Sequence, residues 1–306
     1  MEVAVTPWSH NNAWFAEELC EQAVLAEDMG FHSFWLPENH FGGSKAIPSP
    51  LTLLAAAAAR TSKIKLGTTS YLLTIRNPIQ AAEEVAVLDQ LSRGRLILGV
   101  GRGVQENMFK VFNLPVKEKR KTFQANLDIM RRAWSGESLT EGDIPTILSP
   151  LPFQTPHPPI WVAAFGPLAL KQAGRLGFPY LASPVETLAT LKQNYSLHQE
   201  TVALAGHNKV TCVPVMRTVF ISDNKSLIKN TKLALSAAPG HQMRLKDTAI
   251  EDWTIIGDGK FVFDKLQEYQ EILGVTHLIA RGQLPELDNQ NQLKSHEALI
   301  AISSQV

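Results

Sequence analysis

The segment Pro37-Glu38-Asn39-His40-Phe41-Gly42-Gly43 sets a carboxylate, an amide and an imidazole side by side before a glycine turn. An imidazole exchanges protons near neutrality and a neighbouring carboxylate can orient it. Glu38, Asn39 and His40 are therefore candidates for acid–base and orienting chemistry. The plainer reading is a loop with a structural carboxylate. A second pattern, Gly99-Val100-Gly101-Arg102-Gly103, looks like a dinucleotide turn, but the third glycine is missing and Gln105-Glu106-Asn107 follows. Small residues at Gly101 and Gly103 would let a planar ligand approach the backbone while Arg102 holds its anion. A third, Lys117-Glu118-Lys119-Arg120-Lys121, puts four cations where a helix is expected to start, against its dipole. Solvated lysines tolerate that, whereas a phosphate beside an inward Arg120 would reverse the repulsion. In the fourth, Ala164-Phe165-Gly166-Pro167, a glycine cap and a first-turn proline leave bare N–H groups at a helix start. Two arginines and an open helix start make a phosphate pocket. That reading supplies a phosphorylated ligand and no reaction.

Other chemistries have no pattern to rest on. The nine histidines show neither His-x-His nor His-x-x-x-His spacing, so no metal is expected. His277 reads as a satisfied histidine inside the last strand. There is no Gly-x-Ser-x-Gly elbow and no Gly-x-x-x-x-Gly-Lys-Ser/Thr loop. Lys plus Arg and Asp plus Glu are each 29, and zero net charge argues against nucleic acid or an anionic membrane as partner. Cys20 and Cys212 lie far apart and read as small buried hydrophobes rather than a disulfide or a zinc knuckle. The N-terminus reads as a strand and not a signal peptide. The longest apolar stretch, Leu51 to Ala59, falls short of the roughly 20 residues that span a bilayer. A soluble, cytoplasmic protein is expected.

The elements that must position these residues follow from the pattern. Short β-rich runs are predicted at Val3–Thr6, Ser33–Leu36, Ile64–Ser70, Arg95–Gly101, Ile160–Ala164, Pro179–Leu181, Val210–Ile221 and Thr276–Ala280. Helical stripes alternate with them. Phe15, Leu19, Ala23 and Ala26 form one and end at Gly30. Ala81, Val85 and Leu88 follow the Asn77-Pro78 start; Phe123, Leu127, Met130 and Trp134 form the next, and Val262, Leu266, Tyr269 and Leu273 the last. Eight strands each followed by a helix predict an α/β fold, a (β/α)8 TIM barrel, as one domain over residues 1–306. Ser135–Pro159 holds six prolines and is expected as an insertion between the fourth helix and fifth strand. Ala237–Gly259 is expected as a loop or short helix. In such a barrel the carboxyl ends of the strands carry the chemistry, and three of the four candidate segments follow a strand.

The residues also resemble a known family. Phe34-Trp35-Leu36-Pro37-Glu38-Asn39-His40-Phe41 is similar to the Glu-His-His-Phe segment of the bacterial luciferase-like flavin monooxygenases. Leu88 to Arg95 followed by Gly99 to Gly103, then Phe109-Lys110-Val111-Phe112 and Arg120, continue the likeness. So do Pro158 to Ala164 and Gly274 to Arg281. The resemblance covers nearly the whole chain and is most specific over residues 34–125.

The resemblance implies a luciferase-like barrel that binds reduced FMN, a homodimer, and a separate flavin reductase. In the family's chemistry oxygen adds to the reduced flavin as a C4a-(hydro)peroxide, and a small organic substrate is oxygenated. Arg102 and Arg120 would grip the flavin phosphate, with backbone N–H groups from Ala164, Phe165 and Gly166. Gly101 stands where the luciferases carry a cysteine beside the flavin. A non-prolyl cis peptide is implied at Thr69-Ser70, under the flavin ring. Asn39 takes the place of the luciferases' catalytic histidine, and an amide does not titrate near neutrality, so acid–base work passes to His40. The 237–259 region looks shorter than the family's lid. Trp8, Leu72, Leu73 and Gln105 are expected to shape substrate choice. Two other readings stay open: an F420-dependent hydride-transfer oxidoreductase of the same superfamily, and a non-catalytic flavin-binding protein.

Overall fold

A computed structural model describes residues 1–9, 15–43, 46–237 and 248–305. Along the chain, β1 (Glu2–Val5), α1 (Phe15–Met29), β2 (Ser33–Leu36), α2 (Pro50–Arg60) and β3 (Lys65–Thr68) come first. They are followed by β4 (Tyr71–Leu72), α3 (Pro78–Ser92), β5 (Leu96–Gly101), α4 (Glu106–Val111), α5 (Lys119–Trp134) and β6 (Ile160–Ala163). The rest comprises α6 (Pro167–Leu176), β7 (Tyr180–Leu181), α7 (Leu188–Leu204), β8 (Pro214–Ile221) and α8 (Lys225–Ala237). It ends with β9 (Thr254–Gly257), α9 (Gly259–Leu273), β10 (His277–Arg281) and α10 (Asn289–Ser303).

The chain divides into two compact units. The first comprises Met1–His10, Leu25–Trp35 and Ala164–Val306. In it β1 pairs in parallel with β2 and with β10, and β10 pairs with β8. The distal half of β8 pairs with β9, and Ala182, just past β7, makes a parallel bridge to Val215. Phe220, Leu235, Trp253, Ile256 and Leu284 form one of its core clusters. The second unit, Asn11–Val24 and Leu36–Ala163, centres on β5, which pairs in parallel with β3, β4 and β6. Every described pairing between strands is parallel and helices alternate with strands, so the fold is α/β.

Local chemistry explains the boundaries. Asn77 caps α3, its Oδ1 accepting from the N–H groups of Ile79 and Gln80, with Pro78 at the first position. Arg93 ends the helix in the left-handed region, φ 55°. Asp258 caps α9 through Phe261 N. The eight expected strands are all present, mostly trimmed at their ends. The Val210 run begins only at Pro214, because Val210 and Val213 spend backbone groups on Gln199 Nε2 and Thr276 Oγ1.

Two strands escaped the sequence reading. β4 has two residues, too short for any periodicity. β9 lies in the stretch expected as loop or short helix, which is corrected here. A short 3-10 turn, Ile250–Asp252, precedes it, and its four residues read as a strand only once Thr218–Ile221 lies beside them. Residues 238–247 of that stretch lie outside the described residues. Residues 135–159 carry neither helix nor strand. They are tied to the second unit by Gln90 Nε2 to Leu151 O, Leu98 N to Pro159 O, and Gln154, which bonds the buried Asp89 carboxylate from both N and Nε2.

Candidate active site

Leu36 ends β2, and the chain leaves it through Pro37 into Glu38, whose side chain is fully buried. A buried carboxylate must be compensated. Here Glu38 Oε1 accepts from Arg76 Nη2 at 2.6 Å and from His40 Nε2 at 2.8 Å, while Oε2 accepts from Leu72 N at 2.8 Å. Arg76 also donates to Leu72 O and lies 3.9 Å over the Tyr71 ring, whose hydroxyl donates to Glu84. Glu38 is thus a saturated anchor. Nothing in the sequence announces Arg76, since 38 positions separate it from Glu38 and only the fold joins them.

Because Nε2–H points at the carboxylate, His40 keeps Nδ1 as a lone-pair acceptor, which has no hydrogen-bond partner among the described residues. Its ring packs edge-on against Phe112, centroids 5.2 Å apart. A carboxylate-oriented imidazole with one free basic nitrogen is a proton-accepting arrangement. Asn39 is committed differently. Its Oδ1 accepts from Ile47 N at 2.8 Å and closes the loop. Its Nδ2 donor has no partner among the described residues.

At the carboxyl end of β5, Arg102 Nη2 donates to Ala163 O at 3.0 Å, and Thr74 Oγ1 donates to Arg102 O. The guanidinium lies 5.6 Å from the Phe123 ring centroid. Burial, and then the charge of Arg120, hold the Arg102 pKa below the ordinary arginine value. The two cations therefore feel one another, and a divalent oxyanion is the group that relieves both. Arg120 sits in the first turn of α5, which begins at Lys119 as expected, and is exposed. The Thr69-Ser70 bond is cis, and Thr69 N donates to Leu36 O. A Cβ on Gly101 would run into Ser70 Oγ. Gly101 is thus small enough to admit Ser70.

Ala164, Phe165 and Gly166 belong to the first unit. Gly166 has φ 82° and caps α6 ahead of Pro167, its carbonyl accepting from Ala169 and Leu170. Ala164 is buried and Phe165 is 53% exposed. Trp8, expected to shape substrate choice, is a core residue of this unit, its ring 4.8 Å from that of His296. In the second unit Leu72 and Leu73 are buried as well, Leu72 against Met108 and Phe109, whereas Gln105 is exposed.

A second polar cluster went unread in the sequence. Arg217 in β8 is fully buried and donates to Tyr269 Oη, Ser183 O, Met216 O and Glu186 O. Glu186 accepts from Tyr180 Oη, Ser183 N and Asn194 Nδ2, and burial raises its pKa against those bonds. Arg217 and Glu186 are both answered from within, so this cluster supports the strand. Among the described residues no group of His, Cys, Asp and Glu is placed to hold a metal. Nor is any described helix long and apolar enough to cross a membrane.

Residues 4–277 match the family described as luciferase-like monooxygenase. The chain belongs to this family. As a luciferase-like protein it is an enzyme, an oxidoreductase. An F420-dependent glucose-6-phosphate dehydrogenase of Amycolatopsis mediterranei is 28% identical over 87% of this chain and 88% of its own length. The oxygenase component of a flavin-dependent trigonelline monooxygenase of Acinetobacter baylyi is 25% identical over 68% of this chain and 60% of its own length. A solved structure, the oxygenating constituent of 3,6-diketocamphane monooxygenase from Pseudomonas putida with FMN, superposes with a TM-score of 0.81. It covers 98% of this chain and 96% of that one at 21% identity, a likeness of fold.

Proposed function

We propose that this luciferase-like enzyme is a monooxygenase that uses FMN, reduced by a separate reductase, together with oxygen to oxidise a small organic molecule. One observation carries the reading. Arg102 just past β5 and Arg120 in the first turn of α5 are two mutually repelling cations, and their donor set suits the phosphate of FMN. The Gly166-Pro167 helix start has backbone N–H groups of its own that suit an anion. Thr69, Ser70 and Gly101 would border the ring of the cofactor, which supplies the oxygen-activating chemistry when bound. The protein's own part is carried by Glu38, His40 and Asn39. Glu38 fixes the imidazole, His40 Nδ1 takes or returns a proton, and Asn39 Nδ2 donates to substrate. In this reading the strands close into a single (β/α)8 barrel over residues 1–306, with 135–159 inserted ahead of β6. In the same reading the protein acts in the cytoplasm as a homodimer and is expected to run on a sizing column at twice the 33.8 kDa of one chain.

A second reading has its own support. F420-dependent relatives align over more of this chain than the flavin-dependent trigonelline relative does, 87% against 68%. Hydride transfer with F420 would use the same arginines. Titration with FMN, FAD and F420 separates the two. The flavin reading expects saturable FMN binding that Arg102→Ala weakens roughly ten- to a hundredfold, while riboflavin binding stays unchanged. Equal losses for FMN and riboflavin would make Arg102 a scaffold residue. NADH consumption with a reductase, with and without substrate, distinguishes an enzyme from a flavin carrier.

A further inference from the structure

Arg281 is the last residue of β10 and stands at the carboxyl end of that strand. It is partly buried, and neither a hydrogen bond nor an ion pair engages it among the described residues. Burial alone holds its guanidinium below the ordinary arginine pKa, with no neighbouring carboxylate to offset the cost. Uncompensated desolvated charge is rare in proteins, and arginine stays protonated rather than neutralise. This contrasts with Arg217 one strand away, which makes four hydrogen bonds.

The sheet adds a second, independent sign. In the parallel register Arg281 is the Cα partner of Thr218 in β8, so the two side chains leave the same face of the sheet. Arg217, the next residue, points to the opposite face and reaches Tyr269. Thr218 Oγ1 is buried and has no hydrogen-bond partner among the described residues. Thr254, paired to Thr218 from the other side, spends its own hydroxyl on Ile250 O. One unanswered cation and one unanswered hydroxyl thus share a face within the first unit. A guanidinium fork and a hydroxyl donor together match an oxyanion.

We propose that Arg281 and Thr218 form a substrate subsite that takes a carboxylate or phosphate, so that the enzyme acts on an acidic small molecule. The substrate role rests on the oxidoreductase reading above; the binding test does not need it. Benzoate and phenyl phosphate, with benzyl alcohol as the uncharged control, are titrated into the cofactor-free protein by calorimetry. At least one anion binds saturably and tighter than the alcohol. Arg281→Met weakens that anion tenfold or more, Arg281→Lys less, and Thr218→Val a fewfold, while the alcohol is unaffected. Loss confined to benzoate assigns a carboxylate, and loss of phenyl phosphate assigns a phosphate.

Unfolding supplies a readout free of ligand. Removing an unanswered buried charge leaves Arg281→Met melting at or above wild type. Anion affinity equal in wild type and Arg281→Met overturns the proposal. So do an anion bound no tighter than the alcohol, phosphate affinity that falls only in Arg102→Ala with benzoate unaffected, and an Arg281→Met melt several degrees lower. FMN titration of the same variants is read separately, so failure of the cofactor reading leaves the anion result standing.

Discussion

Glu38 and His40 illustrate how two neighbouring residues take different roles. Both are buried, but Glu38 has both oxygens committed and His40 has one nitrogen left. Removing the cation from Glu38 leaves a buried carboxylate without an ionic partner, a change that costs about 3 kcal/mol or more. Arg76→Met is therefore expected to lower the urea midpoint clearly. Glu38→Gln removes the carboxylate charge and keeps one acceptor oxygen, for either His40 Nε2 or Leu72 N, so it is expected to lose turnover together with some stability. The pH–rate profile tells the roles apart. His40→Asn removes a limb of the profile, and Asn39→Ala lowers the rate while leaving that limb in place. A profile unchanged in His40→Asn would assign the imidazole to the scaffold.

At the scale of elements, the 135–159 segment is held by side chains from another element as well as by backbone bonds such as Leu98 N to Pro159 O. Asp89 in α3 is fully buried, and Gln154 donates to it twice. The pair is what fastens the prolines to β5, with Gln154 Nε2 also reaching Leu96 O. Asp89→Ala leaves those donors unanswered at a cost of about 2 kcal/mol. Hydrogen exchange is expected to accelerate at the Gln154 amide in this variant before it changes in β5 itself. Uniform acceleration through the second unit would mean instead that Asp89 supports α3. The same scale explains β9. A strand of four residues is defined by the edge of β8 it meets, and no periodicity of its own reveals it.

For the whole molecule, acid sensitivity is the sharpest expectation. His296 in α10 is 2% exposed, and burial depresses its pKa from 6.5 to about 4. The ring sits between Trp8, Phe31 and Gln292 and is held neutral. The unfolded chain binds a proton near pH 6.5 that the native chain refuses until about pH 4. Stability is therefore full above 6.5 and is lost as pH falls across that window. The loss amounts to about 3 kcal/mol by linkage. Urea midpoints from pH 7 to 4 are expected to fall less steeply in His296→Gln than in wild type. Parallel slopes would mean that the ring is protonated in the folded state.

The α/β alternation and the eight expected strands were legible in the sequence because each rests on local information. Apolar runs, an Asn77-Pro78 helix start and the Gly101-Arg102-Gly103 turn are visible within a few residues. The family resemblance extended that reach to the Thr69-Ser70 bond. What tertiary structure alone decided is partnership between distant residues. Arg76 answers Glu38 across 38 positions. Ser70 fills the space above Gly101, and Trp8 turns into the core against His296. Whether a buried charge is answered, as at Arg217, or left open, as at Arg281, depends on groups that only folding brings near. The energy of a charge is set by its surroundings, and a linear chain records the charge without recording the surroundings.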